Sequence, residues 1–214
     1  MRSRWVVTAA VLLFAALTSV EAVELGVGIR AGTQGIGAEL GVGLSKWFAL
    51  RGGYYGGTVS GDYDDTDISY NGDLTLGGAG VLADFYPMRG GFRLSAGVFS
   101  NDTAIELEAA PTGPQEIGGV TYTPAQIGVL NGDVEFDSTA PYFGLGWGRL
   151  TGGKRLGFLF DLGVLKQGSG DVILTSSTGL VSSADLESEA AEIEDDIESY
   201  EFWPVLSFGM AIRF

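Results

Sequence analysis

The sequence predicts an all-β fold: an eight-stranded antiparallel up-and-down transmembrane β-barrel, with a short acidic helix in its last extracellular loop. Three observations predict it. Bulky apolar residues alternate with small ones in eight short stretches, so successive side chains point to opposite faces of a sheet. The second face is mostly Gly, Ala and Ser, where a water-exposed sheet face would carry Lys, Glu and Thr. The charges that interrupt this bare face balance, with four acids and four bases.

The first stretch places Leu25, Val27, Ile29 and Ala31 against Glu24, Gly26, Gly28 and Arg30. The second places Ile36, Ala38, Leu40, Val42 and Leu44 against Gly37, Glu39, Gly41 and Gly43. The third places Phe48, Leu50 and Tyr54 against Trp47, Ala49, Arg51 and Gly53. In the fourth, Leu74 and Leu76 lead. A bulge at Gly77-Gly78 is expected to shift the phase to Ala79, Val81, Ala83 and Phe85. The fifth sets Phe92, Leu94, Ala96 and Val98 against Arg93, Ser95, Gly97 and Phe99. The sixth sets Phe143, Leu145 and Trp147 against Tyr142, Gly144 and Gly146. The seventh sets Leu156, Phe158, Phe160, Leu162 and Val164 against Gly157, Leu159, Asp161 and Gly163. The eighth runs from Phe202 to the terminal Phe214 with Pro204, Leu206, Phe208, Met210 and Ile212 in phase.

Glycine weakens a strand and belongs where space is short. A small closed barrel is such a place, because side chains just fill it. The bare face therefore points inward and the bulky face outward, toward an apolar solvent. Closed barrels are the sheets that satisfy every backbone group in lipid, and about ten residues per tilted strand suits an outer-membrane barrel. The inward charges are Glu24, Arg30, Glu39, Arg51, Asp84, Arg93, Asp161 and Arg213. Ions taken out of water must pair. Two layers are expected: Glu24, Asp84, Arg93 and Arg213 at one rim, and Arg30, Glu39, Arg51 and Asp161 at mid-height.

The chain opens with a leader. Arg2 and Arg4 precede an apolar stretch, and Val20-x-Ala22 fits a cleavage site, so residues 1–22 read as a secretory signal peptide and 23–214 as the barrel domain. The 214 residues carry a net charge of −15, which argues against nucleic acid. Cys and His both number 0. This removes disulfides, thiol chemistry and the commonest general base and metal ligand. No enzyme activity, cofactor or resident metal is expected.

An even strand number puts both chain ends on one side, the periplasm in such barrels. Short links at Ser45-Lys46, 87–91 and 149–155 carry Lys46, Arg89, Arg149, Lys154 and Arg155 and should be periplasmic turns. A tiny link at 33–35 and long ones at about 56–72, 101–138 and 167–201 should face outward. The long ones hold many carboxylates, with Lys166 as their base. Asp62, Asp64, Asp65 and Asp67 are weak metal candidates, since they miss the glycine and glutamate of a calcium loop. A hairpin should turn at Gly118-Gly119. A helix should start at Thr123-Pro124, with Gln126 closing a capping box, and stop at Asn131-Gly132. A longer helix, about 183–199, aligns Leu186, Ala190, Ile193 and Ile197 on an otherwise acidic surface. Phe48, Tyr86, Phe92, Trp147 and Phe214 suit one aromatic girdle; Tyr54, Tyr200 and Phe202 suit the other.

"GVLADFYPMRGGFRLSAGVFSND", "APYFGLGWG", "GFLFDLGVLKQGS" and "FWPVLSFGMAIRF" resemble a family of small, poorly characterised proteobacterial outer-membrane proteins. The architecture is similar to the OmpA and OmpX barrels. The resemblance implies the outer membrane of a Gram-negative bacterium. It makes Phe208, Met210, Ile212 and Phe214 the signal read by the barrel-assembly machinery. The expected role is structural or surface-interacting, with a lumen plugged by paired charges. The alternative is a narrow, porin-like passage for small solutes or apolar molecules. Outer-membrane lipid, lipopolysaccharide and a surface partner bound by the acidic loops are the expected contacts.

Overall fold

The structure is a computed structural model and describes residues 24–64 and 68–214. The segment 1–22, expected to be a signal peptide, and the metal candidates Asp65 and Asp67 lie outside the described residues. The fold is all-β and antiparallel. The alternating stretches form β1 (Glu24–Gly32), β2 (Gly35–Gly43), β3 (Phe48–Asp64), β4 (Ile68–Phe85) and β5 (Phe92–Ser100). Then follow β6 (Ala104–Pro111), β7 (Gln115–Ile117), β8 (Val120–Tyr122), β9 (Leu130–Glu135), β10 (Thr139–Trp147), β11 (Leu156–Lys166), β12 (Asp171–Ser176) and β13 (Phe202–Arg213).

The alternation of size sets the register. Val27 lies between Leu40 and Ile212 on the outer face, while Gly28 lies between Glu39 and Ala211 on the inner one. Pairing runs from β4 through β3, β2, β1, β13, β11 and β10 to β5, and β5 pairs back with β4. The ladder thus closes on itself. Large apolar side chains cover its outside: Phe158 is 80% exposed, Ile36 73% and Phe143 64%. Arg51 and Asp161 are buried within.

Strands also occupy the segments expected as long loops. β3 and β4 run on past the ring as one hairpin, paired from Phe48–Phe85 up to Asp64–Ser69. The free flank of β4 then takes β6, which takes β9, which takes β12. These added strands are short and acid-rich, so their alternation, such as Ile105 and Leu107 against Glu106 and Glu108, is weak in the sequence. The extended hairpin gives them an edge to pair with.

The expected bulge is absent from the β3–β4 ladder, where Tyr55 faces Gly78 and Gly56 faces Gly77 one to one. There is no phase shift, and Leu74 and Leu76 share the inner side with Leu82 and Asp84. Gly77-Gly78 instead marks where β4 passes from β5 to β6. Gly78 has φ +152, and a Cβ there would sit 1.9 Å from the Ser100 carbonyl oxygen. Glycine is needed for this close approach.

The hairpin β7–β8 turns at Gly118 and Gly119, both at positive φ. A one-turn helix, Pro124–Ile127, follows, and the Gln126 side-chain oxygen accepts the Thr123 N–H at 2.9 Å. It stops at Gly128, four residues before the expected end, and Asn131-Gly132 belong to β9. The acidic helix spans Ser183–Ile197. Its apolar stripe packs onto the added sheet, with Ala190 buried against Val134 and Val172, and Ile193 and Ile197 alongside. Leu186 reaches a second cluster of Ile117, Tyr122, Ile127 and Val181. Glu194 sits at the unfavourable end of the helix dipole. Its carboxylate is offset by the Val172 N–H, 2.8 Å away on the outer flank of β12. Among the described residues no helix is long and apolar enough to cross a membrane.

Candidate functional site: the interior of the strand ring

Inner-face residues of β1, β2, β3, β4, β5 and β11 bring six ions together: Arg30, Glu39, Arg51, Asp84, Arg93 and Asp161. Each is 4% exposed or less. Arg51 is the hub. Its Nη1 donates to Glu39 Oε1 at 2.8 Å and its Nη2 to Asp161 Oδ1 at 3.0 Å. Its Nε donates to Asp84 Oδ1 at 3.1 Å. Arg30 donates to Glu39 Oε2 at 2.5 Å and also pairs with Asp161. Arg93 donates to Asp161 Oδ2 at 2.6 Å and to the carbonyl of Gly148. Ser95 donates to Asp84 at 2.5 Å, and Tyr55 donates to Glu39.

Three guanidinium groups and three carboxylates therefore form one neutral layer. Arginine suits the task because its rigid fork of donors spans several acceptors at once, which a lysine point charge does not. The bare positions around it make room. A Cβ at Gly209 would lie 2.7 Å from Arg30 Cγ, and one at Gly146 would lie 2.9 Å from Asp161 Oδ1.

This differs from the two expected layers. Asp84 and Arg93 join the mid-height group, because Arg51 reaches Asp84 and Asp161 reaches Arg93. Glu24 is exposed at the rim. Arg213 is half-buried and donates to backbone carbonyls of Arg149, at 2.9 Å from Nε, and of Lys154. It makes no ion pair among the described residues. Asp62 is exposed on β3, and the described residues contain no group of three metal-ligating side chains. Phe208, Met210, Ile212 and Phe214 all project outward, between 42% and 74% exposed.

Apolar layers close the interior on both sides of the ions. Toward the added sheet lie Tyr55, Leu82, Phe99, Ala140, Tyr142, Leu165 and Val205, with Trp203 packed beside them. Toward the chain ends, Leu150 packs on Leu159 and Ala211. Leu150 and Thr151 belong to the link 149–155, expected as a periplasmic turn, and both are buried. Their signal was the bare set Gly26, Gly28 and Gly41, which leaves a hollow for a folded-in turn. Tyr86, expected in the periplasmic girdle with Phe48 and Trp147, is fully buried, with the Arg149 guanidinium 3.9 Å from its ring centre. It shares the inward phase of Leu82 and Asp84. The space left among Arg30, Arg51, Tyr55, Tyr142, Asp161 and Ser207 is about 10 Å³, room for about one water. A far larger hollow of about 680 Å³ lies on the outer wall between Ile29, Ala38, Leu40, Tyr54 and Met210.

Two solved structures from Acinetobacter baumannii are similar to this chain over nearly all of their lengths. CarO2 shares 22% identity at a TM-score of 0.62, covering 91% of this chain and 100% of its own. CarO shares 23% identity at a TM-score of 0.59, covering 88% and 97%. The fold is that of these two proteins. A major outer membrane protein from Thermus thermophilus aligns more loosely, at 16% identity and a TM-score of 0.43, covering 91% of this chain and 100% of that one. No protein-family model matches the chain, and no curated protein matches it.

Proposed function

We propose that the closed pairing path is an eight-stranded up-and-down transmembrane barrel of the Gram-negative outer membrane. Its role is structural or surface-interacting, and its lumen is sealed. One observation carries this reading: the packing is inverted relative to a soluble sheet protein. Phe158, Ile36 and Phe214 lie outside, while six ions are enclosed. An exterior of this kind is stable only against hydrocarbon. The hollow at Ile29, Ala38 and Leu40 suits acyl chains. The outward Phe208, Met210, Ile212 and Phe214 form the strand read by the assembly machinery; normal insertion of a chain ending at Arg213 would refute that role. With the basic turns in the periplasm, the added sheet and acidic helix stand outside the cell. There they meet a surface partner, or lipopolysaccharide phosphates through bridging cations. A catalytic role has no support in the interior, whose carboxylates are all committed to arginines.

The alternative, a narrow channel, requires a path through or around the ionic layer. The space of about 10 Å³ among Arg30, Arg51, Tyr55 and Asp161 favours the sealed reading. Planar-bilayer recording on the refolded chain tests it. Leak-level current is expected, and steady, size-selective conductance would replace this reading with transport.

A further inference from the structure

Six bases crowd the end of the ring that holds both chain termini: Lys46, Arg89, Arg149, Lys154, Arg155 and Arg213. They divide into two groups. Arg149 and Arg213 are turned inward and hold the turns together. Arg149 makes long bonds to the carbonyls of Lys46, at 3.4 Å, and Gly90, at 3.5 Å, and so links all three turns. Arg213 binds the carbonyls of Arg149 and Lys154 within the third turn.

Lys46, Arg89, Lys154 and Arg155 form the second group. All four are exposed, and among the described residues none is in an ion pair. Glu24 is the carboxylate side chain at this rim, and it lies against Gly152 rather than against any of the four. Large apolar side chains sit at the same level: Met88 is 76% exposed, Leu156 62%, Trp147 56% and Phe48 50%. The Arg89 guanidinium lies 4.3 Å from the centre of the Trp47 ring.

Arg89 supplies an independent sign of function. Its φ is 52, and among the described residues it is the one non-glycine at positive φ. A side chain there is strained, and glycine would relieve the strain. Gly90 stands next to it. A cation is held in a conformation that folding alone would give to glycine.

We infer that this end of the ring is a collar for anionic phospholipid headgroups, with phosphatidylglycerol as the model ligand. The inference rests on the membrane reading above. The aromatic and aliphatic side chains fix the depth at the interface, and the four cations outside any ion pair face the phosphates. The inward pair holds their spacing before any lipid arrives. Cations at a membrane surface each contribute about fivefold to association with anionic lipid. Four acting together give a preference well above tenfold.

The experiment is native mass spectrometry of the refolded, detergent-solubilised chain with phosphatidylglycerol or phosphatidylethanolamine of identical acyl chains. The unmodified protein should retain phosphatidylglycerol at least about tenfold better. Excess inorganic phosphate should not displace it, which separates a membrane lipid from a free anion. The combined variant Lys46→Gln, Arg89→Gln, Lys154→Gln and Arg155→Gln should bring the preference to within about twofold. Arg89→Gly alone should leave the unfolding midpoint unchanged or raised while lowering the preference. Equal retention of both lipids, displacement by phosphate, or an undiminished preference in the combined variant would overturn the inference. Insertion into neutral vesicles, resistant to carbonate extraction, separates the two failures. A chain that inserts without preference defeats the collar alone, and one that does not insert defeats the membrane reading.

Discussion

Arg51→Ala is the sharpest test of the enclosed ionic layer. Arg51 bridges Glu39, Asp84 and Asp161 and also donates to Ser95 at 3.3 Å. Its removal leaves two guanidinium groups against three carboxylates. Glu39 keeps Arg30, and Asp161 keeps Arg30 and Arg93. Asp84 keeps Ser95 and a longer contact of 3.7 Å to Arg93. One negative charge is left without compensation, in a site where the side chains are 3% exposed or less. Stranding a buried charge costs about 3–5 kcal/mol. The burial is nearly complete, so no reduction for solvent screening applies. The assay is urea unfolding of the refolded barrel in lipid vesicles, followed by tryptophan fluorescence. Arg51→Lys restores the charge without the fork and should fall between the parent and Arg51→Ala. The double variant Arg51→Met with Glu39→Gln restores neutrality and should recover at least about half of the loss. A change below about 1 kcal/mol for Arg51→Ala would mean that water or counter-ions reach the layer, and the sealed interior would be wrong.

Further outcomes concern the outer part of the molecule. Ala190→Asp buries a carboxylate against Val134 and Val172. It should release the acidic helix, at a cost of about 2–4 kcal/mol to that region. Limited proteolysis should then cut within 177–201 while the heat-modifiable band of the ring persists on gels; loss of that band would show that the two parts fold as one unit. Tyr122 donates to the Asp185 carboxylate, which raises its pKa above the ordinary value of 10. A raised value in the folded state means that the bond stabilises below about pH 10 and is lost as the pH rises through Tyr122's own value. Absorbance titration should lose one late-ionising tyrosine in Tyr122→Phe, and an unchanged late phase in that variant would refute the pairing.

The part of the fold that was legible in the sequence is the part governed by a single period. Ile29 and Arg30, or Phe208 and Ser207, differ so strongly in size and polarity that each strand's two faces could be assigned without a partner. The same contrast singled out eight inward charges; six of them are buried, while Glu24 is exposed and Arg213 half-buried at the rim. Their grouping was not legible. It depends on the stagger between strands, which brings Asp84 and Arg93 level with Arg51. The added sheet was hidden for a different reason. Ile105 and Val134 stand beside acids and Val172 in a run of three apolar residues, and they become a core only when the acidic helix lies across them. Leu150 looked like a turn residue because its burial is created by what other strands lack. Capping chemistry fixed the start of the short helix at Thr123-Pro124. Its end was set by Gly128, at φ +66, ahead of the stronger-looking Asn131-Gly132.

The central claim, that the bulky face meets hydrocarbon and the bare face a closed interior, can be measured at two adjacent residues. The chain has no cysteine, so nitroxide labels can be placed singly at Phe208→Cys and Ser207→Cys in the vesicle-inserted protein. Phe208 is 60% exposed and Ser207 is 7% exposed. The label at 208 should collide freely with oxygen dissolved in the bilayer and not with a water-soluble nickel chelate, and the label at 207 should be immobile and meet neither. An immobile, shielded label at 208 beside one at 207 that meets the aqueous chelate would contradict the account.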